Sequence, residues 1–175
     1  MIAQSIAQRC CTTRDTSYQY LAMALRPICE PVELPIGASV LAERVAIDAR
    51  SPDVGRFIHF HDVAELVLLR RVRGEFISDG RRYRVGDGAL TFVPSMRQHD
   101  FALGSEAMEW VLIQLDPYLV EAIGRKSGMA RLARPFCAWP DPQQSAGLEM
   151  LADWLVEAAG DPSNPEIEHI VELLL

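Results

Sequence analysis

Glu75-Phe76-Ile77-Ser78-Asp79-Gly80-Arg81-Arg82-Tyr83-Arg84-Val85 reads as two short strands joined by a two-residue turn. An Asp-Gly pair tolerates positive φ at both central positions, as a type I′ hairpin requires, and the twist of that turn matches the strands it joins. Outward from this hairpin the same texture continues in both directions. Val40–Ile47, Arg56–His61 and Glu65–Val72 precede it, and Ala89–Val93, His99–Leu103 and Met108–Leu115 follow, with Gly74, Gly86 and Gly88 marking bends. About eight short strands with few residues between them predict a small antiparallel barrel of jelly-roll type around a single pocket, covering residues 38–115.

Beyond this region the hydrophobic period changes to that of helices. Asp116–Gly124 is expected as a short helix with Pro117 in its first turn. Pro140–Ala159 is expected as a longer one, capped by Asp141, with Leu148, Leu151, Ala152, Leu155 and Ala159 as its inner stripe and Met150 and Trp154 widening the apolar face. Asn164 and Pro165 open a last helix carrying Ile167, Ile170, Val171 and Leu174. A helix that stops mid-stripe on Leu173-Leu174-Leu175 reads as one cut short of a further part. Residues 1–37 read as an arm, with a short helix around Tyr18–Leu25 followed by a stretch punctuated by Pro27, Pro31 and Pro35.

A formal net charge of −7 argues against this chain gripping nucleic acid, which needs a basic face for phosphates. No stretch reaches the ~18 apolar residues of a membrane span, and the N-terminus lacks the pattern of a signal peptide. Cys10, Cys11, Cys29 and Cys137 form no CxxC and no zinc-ribbon spacing, so they read as reduced thiols. The expected location is the cytoplasm.

One constellation of residues can carry chemistry. His59 and His61, two apart on a strand, face the same side. Glu65 opens the next strand, and closure of the fold would bring His99 to them. Three imidazoles and a carboxylate suit a divalent first-row metal such as zinc, nickel or iron. The same four residues could equally be a hydrogen-bonded buried cluster, or contacts to a small ligand.

Gly55-Arg-Phe-Ile-His59-Phe-His61-Asp-Val-Ala-Glu65, followed by Gly74, resembles the first cupin motif, and Gly88-Ala-Leu-Thr-Phe-Val-Pro94-Ser-Met-Arg-Gln-His99 resembles the second. Met96 stands where a glycine is usual and Leu103 where an asparagine is usual. The compact spacing between the motifs, with Gly-Glu-Phe and Asp-Gly-Arg-Arg-Tyr between them, is similar to the N-terminal domain of AraC-type transcription regulators. That resemblance implies a cupin barrel binding a small-molecule effector, a helical segment (residues 116–175) making a homodimer, and DNA binding by a separate helix-turn-helix part beyond residue 175. It implies no catalysis; the alternative is a metal-dependent cupin enzyme, a dioxygenase or isomerase. A third reading is a pure oligomerisation domain with a filled barrel.

Candidate effector contacts are His59, His61, Glu65, Arg71, Tyr83 and His99, and the metal would take His59, His61, Glu65 and His99. Arg71 is singled out from the basic group Arg70, Arg71, Arg73, Arg81, Arg82 and Arg84 because it shares strand parity with Glu65. The rest of that group reads as a solvated face with weak ion pairs. Leu148, Leu151, Trp154 and Leu155 form the candidate dimer seam, since a broad apolar helix face needs a partner.

Overall fold

The computed structural model describes residues 27–48, 58–104 and 107–175. The expected helix around Tyr18–Leu25 and the Cys10–Cys11 pair lie outside the described residues, as do Arg56 and Phe57 of one expected strand. The strands are β1 (Ile28–Cys29), β2 (Val40–Ile47), β3 (His59–Phe60), β4 (Ala64–Arg70), β5 (Gly74–Ser78), β6 (Arg81–Val85), β7 (Leu90–Val93), β8 (His99–Leu103), β9 (Met108–Leu115) and β10 (Phe136–Ala138). Among the described residues the helices are α1 (Pro117–Ser127), α2 (Pro142–Ala158) and α3 (Ile167–Leu174), with one 3-10 turn at Ala130–Ala133.

Two five-stranded sheets result, ordered β1-β3-β8-β5-β6 and β10-β7-β4-β9-β2. From β3 to β9 the chain crosses between them at every step except the β5–β6 hairpin, which is a jelly-roll path. Among the described residues all pairings are antiparallel except β1 with β3. The expected barrel is thus a sandwich: among the described residues the strand ladders run within each sheet and do not close into a cylinder. The hairpin follows its turn chemistry, with Asp79 at φ 48° and Gly80 at φ 74°, and Phe76 opposite Tyr83. Gly74 is required by close approach, because a Cβ there would meet the Ala102 carbonyl oxygen at 2.2 Å.

Strand alternation divides the core in two. On β4, Val67 and Leu69 join Val72, Phe76, Val85, Ala89 and Val93 between the sheets. Leu66 and Leu68 point the other way and pack with Phe92, Val111 and Ile113 against Leu119, Leu155, Ile170 and Val171 of the helices. β4 is therefore buried on both faces, which explains its nearly unbroken apolar run. α1 is capped by Asp116, which accepts from the Tyr118 amide at 2.7 Å. It runs past the expected stop at Gly124 to a left-handed Gly128 (φ 65°). α2 opens on a reciprocal capping box between Asp141 and Gln144, and Asn164 accepts from the Glu166 amide just before α3.

Candidate functional site

The site is built at the end of the sandwich where the chain crosses from β3 to β4. His99 lies directly opposite His59 on the neighbouring strand and opposite Ser78 on the other side. It shares the inward face with Phe101, whose partner Phe76 is a core residue. Glu65 shares parity with Val67 and Leu69 and so enters from the second sheet. His61 sits in the crossover, where its carbonyl accepts from the Met96 amide at 2.7 Å, and the Ser95 hydroxyl pins the same corner by donating to the Asp62 carbonyl at 2.7 Å.

The three imidazole rings lie 4.2–5.2 Å apart between centroids, and each offers one nitrogen within 4.8 Å of the others. Glu65 bridges two of them, with Oε2 at 3.3 Å from His61 Nε2 and Oε1 at 3.4 Å from His99 Nε2. His61, Glu65 and His99 are at most 5% exposed. A buried group set of this kind must be satisfied from within or by a ligand. His99 Nδ1 lies 3.0 Å from the Arg97 carbonyl oxygen, which can only accept, so Nδ1 carries the proton. Neutral His99 then turns the Nε2 lone pair toward an ionised carboxylate. At 3.4 Å this is an ion-pair distance rather than a well-formed hydrogen bond, and Nε2 has no hydrogen-bond partner. Two acceptors facing each other call for a cation between them, a proton or a metal.

Burial alone would raise the Glu65 carboxyl, but its direct interaction with His99 and the charges of His99, His61 and His59 override burial and hold it at about 2 instead of 4.5. His99 is pushed up: burial opposes its charge, and Glu65 more than compensates. His61 is pushed down, chiefly by burial. The identity of the donors, the Nε2 of His99 facing a carboxylate, and that carboxylate beside two of the imidazoles all fit a divalent metal.

Of the other expected contacts, Tyr83 does face inward, stacked on Phe76 at 5.5 Å, and Phe76, Phe101 and His99 continue that aromatic wall. Arg71 does not join the site. β4 ends at Arg70, Arg71 takes φ 49°, and its guanidinium pairs with Glu109 on the surface, so parity with Glu65 is broken. Arg70 turns to Asp153 of α2 at 2.8 Å and Arg82 to Glu75 at 2.8 Å. The proposed dimer seam is divided as well: Leu155 is fully buried in the chain's own core, and Leu148 and Leu151 pack partly against it, leaving Trp154 beside Met150 exposed. A cleft of about 370 Å³ lies away from the histidines, between α1, the 3-10 turn and the β7–β8 corner, lined by Ala64, Pro94, Val120, Gly124 and Leu132.

One residue of the site escaped the sequence reading. Glu30, just after β1, places Oε2 at 3.7 Å from His59 Nε2. Burial and the charge of Glu65 raise its carboxyl. Only the parallel pairing of β1 with β3 brings it there, and a two-residue strand has no periodic signal.

The family model for the AraC-like ligand binding domain matches residues 41–175. No curated protein matches the sequence. Among solved structures, an apo form of ToxT from Vibrio cholerae is 8% identical with a TM-score of 0.53, over 78% of this chain and 53% of that one. The EutQ protein of Clostridium difficile is 14% identical with a TM-score of 0.35, over 45% of this chain and 57% of that one. A putative mannose-6-phosphate isomerase from Ralstonia eutropha is 20% identical with a TM-score of 0.37, over 45% and 75%. This chain spans about half the length of the ToxT chains it resembles, and at such identity ToxT supports the fold alone. The family match runs from the second strand through the last helix of the sandwich described above, and this chain belongs to the AraC-like ligand binding domain family.

Proposed function

We propose that this effector-binding domain takes its ligand at His59, His61, Glu65 and His99, with Tyr83 on the wall of the site, and that a divalent metal held by the three histidines forms part of it. The observation that carries this reading is His99 Nε2, buried without a hydrogen-bond partner and aimed at an ionised carboxylate. The facing atoms of that pair need a proton or a cation between them, and the three clustered imidazoles supply the further donors a cation would take. The metal, when bound, would supply a Lewis-acidic anchor for an anionic or hydroxylated effector. Glu65, which faces the same Nε2 of His99 that the ion would take, would stand beside it and balance its charge, and the Arg97 carbonyl would fix the His99 tautomer.

In a regulator, ligand binding has an effect only through a difference in affinity between two arrangements of the domain. The proposed arrangements differ in how the sandwich end meets the helices, and a DNA-binding part of the same protein, acting as a homodimer in the cytoplasm, would report the difference. The helical segment fits this role, since Arg70 and Arg44 tie both central and edge strands to Asp153 of α2. A metal-dependent enzyme draws on the same histidine cluster, but the family match favours the sensor. Titration of candidate effectors against the full-length regulator on its operator is the test. Saturating effector should change DNA affinity by several-fold or more; a regulator whose DNA affinity is indifferent to every ligand that occupies the histidine site would refute the switch.

A further inference from the structure

The geometry points to Glu30 as a further protein ligand of the metal site, beside Glu65, so that a cation held by His59, His61 and His99 also fastens strand β1 to the edge of the sandwich. This inference rests on the metal reading above and adds a residue and a mechanical consequence to it.

Glu30 enters from the β1 edge of the first sheet and Glu65 from the second sheet. Glu65 faces His61 and His99, whereas Glu30 faces His59, with 3.7 Å between Oε2 and Nε2. Two ligands about 2.1 Å from one metal lie ~3–3.4 Å from each other, so Glu30 and His59 stand near the spacing of two ligands of one cation, and the carboxylate would close further on His61 and His99 when the ion is shared. Charge favours the same conclusion. Three neutral imidazoles with one carboxylate leave a divalent ion with an uncompensated positive charge in a buried site, whereas a second carboxylate makes the assembly neutral. The attachment of β1 is otherwise slight. Among the described residues it pairs with β3 over two residues only, Ile28 with His59 and Cys29 with Phe60, flanked by bonds from the Ile28 amide to the Ile58 carbonyl at 3.0 Å and from the Glu30 amide to the Phe60 carbonyl at 2.9 Å, and its own side chains are exposed. A segment with so little buried surface opens easily, and a ligand bond from Glu30 would be its strongest tie. Occupation of the site and docking of the segment around Glu30 then become one coupled equilibrium.

The test is hydrogen exchange at the Ile28 and Glu30 amides, measured on the whole chain after chelation and again with saturating Zn²⁺. The wild type should exchange at least about ten-fold more slowly at both amides with Zn²⁺. Glu30→Gln should still bind Zn²⁺, with affinity reduced by about ten- to a hundred-fold, and its exchange should no longer respond. Glu33→Gln, on the same segment but exposed, should behave as wild type. The visible spectrum of the Co²⁺ form should also change in Glu30→Gln and not in Glu33→Gln. Slowing that persists in Glu30→Gln, or Zn²⁺ that binds the wild type without slowing either amide, overturns the role of Glu30 and leaves the metal site standing. A wild type that binds neither Zn²⁺ nor Co²⁺ overturns the metal site and this inference with it.

Discussion

Glu65 Oε1 lies 3.4 Å from His99 Nε2, and the two residues come from opposite sheets of the sandwich. The pair therefore joins the two sheets across the interior, and its protonation is linked to folding. The folded Glu65 carboxyl sits at about 2 against 4.5 when free, so its contribution is present above about pH 4.5 and is lost as the pH falls toward 2. A displacement of that size corresponds to roughly 3 kcal/mol. His99 has the opposite sign: its raised value means its contribution is complete below 6.5 and is lost as the pH rises through the folded value.

Chemical denaturation from pH 7 to pH 2.5 should thus show wild-type stability declining below about pH 4.5. Glu65→Gln should lack that part of the decline and should be less stable at pH 6 by roughly 2–3 kcal/mol. Parallel pH profiles for the two proteins would show that the Glu65–His99 pair does not govern acid stability.

Protein purified without added metal and without a histidine tag should carry about one divalent ion per chain, on the donor set and spacing of His59, His61 and His99. His59→Ala and His99→Ala should each lose it, and chelation should lower the wild-type melting temperature toward that of the variants. Elemental analysis decides the point. Metal absent from wild type after incubation with Zn²⁺, Ni²⁺ and Fe²⁺ in turn would leave the cluster as a site for the effector alone.

Met96 occupies a left-handed position, φ 63°, where the motif usually has glycine. Its amide holds the His61 carbonyl, so the backbone there cannot relax without disturbing the histidine corner. A left-handed non-glycine residue costs roughly 1–2 kcal/mol, and glycine regains most of that while losing some to unfolded-chain entropy. Met96→Gly should be as stable as wild type or up to about 1 kcal/mol more stable, and Met96→Val less stable by about 1–2 kcal/mol, because a β-branched side chain tolerates positive φ poorly. Equal stability of the glycine and valine variants in urea would mean the strain is not there.

What could be read from the sequence tracks how local its cause is. Asp79-Gly80 sets a turn by its own dihedral freedom, and alternation sets the strand faces, so β2, β6, β8 and β9 fall where the residues alone put them. His59 and His61 share a side by parity, and His99 joins them through register. Arg71 shows where parity stops being informative, since one positive φ after β4 turns it to the surface. β10 was illegible because Phe136 acquires its strand geometry from pairing with β7 and stacking on Phe92 at 5.3 Å, contacts that lie far away in sequence. Glu30 was hidden for the same reason.

Leu155 and Trp154 are adjacent on α2 yet do opposite work. Leu155 is fully buried against the outer face of the second sheet and α3, so Leu155→Ala should cost about 2–5 kcal/mol and lower the melting temperature by several degrees whatever the oligomeric state. Trp154 is 43% exposed and lies one helical turn from Met150, which is 64% exposed. Trp154 is the part of the expected seam that the chain's own fold leaves most uncovered, and Met150 extends the exposed apolar surface beside it. Trp154→Asp should therefore leave the far-UV circular dichroism unchanged and the melting temperature at low protein concentration within a few degrees of wild type. In sedimentation velocity it should run as a monomer at concentrations where wild type is a dimer. The charge introduced into an apolar contact would be desolvated without a partner, which a dimer seam cannot absorb. A Trp154→Asp protein that still sediments as a dimer would remove this face of α2 from the interface.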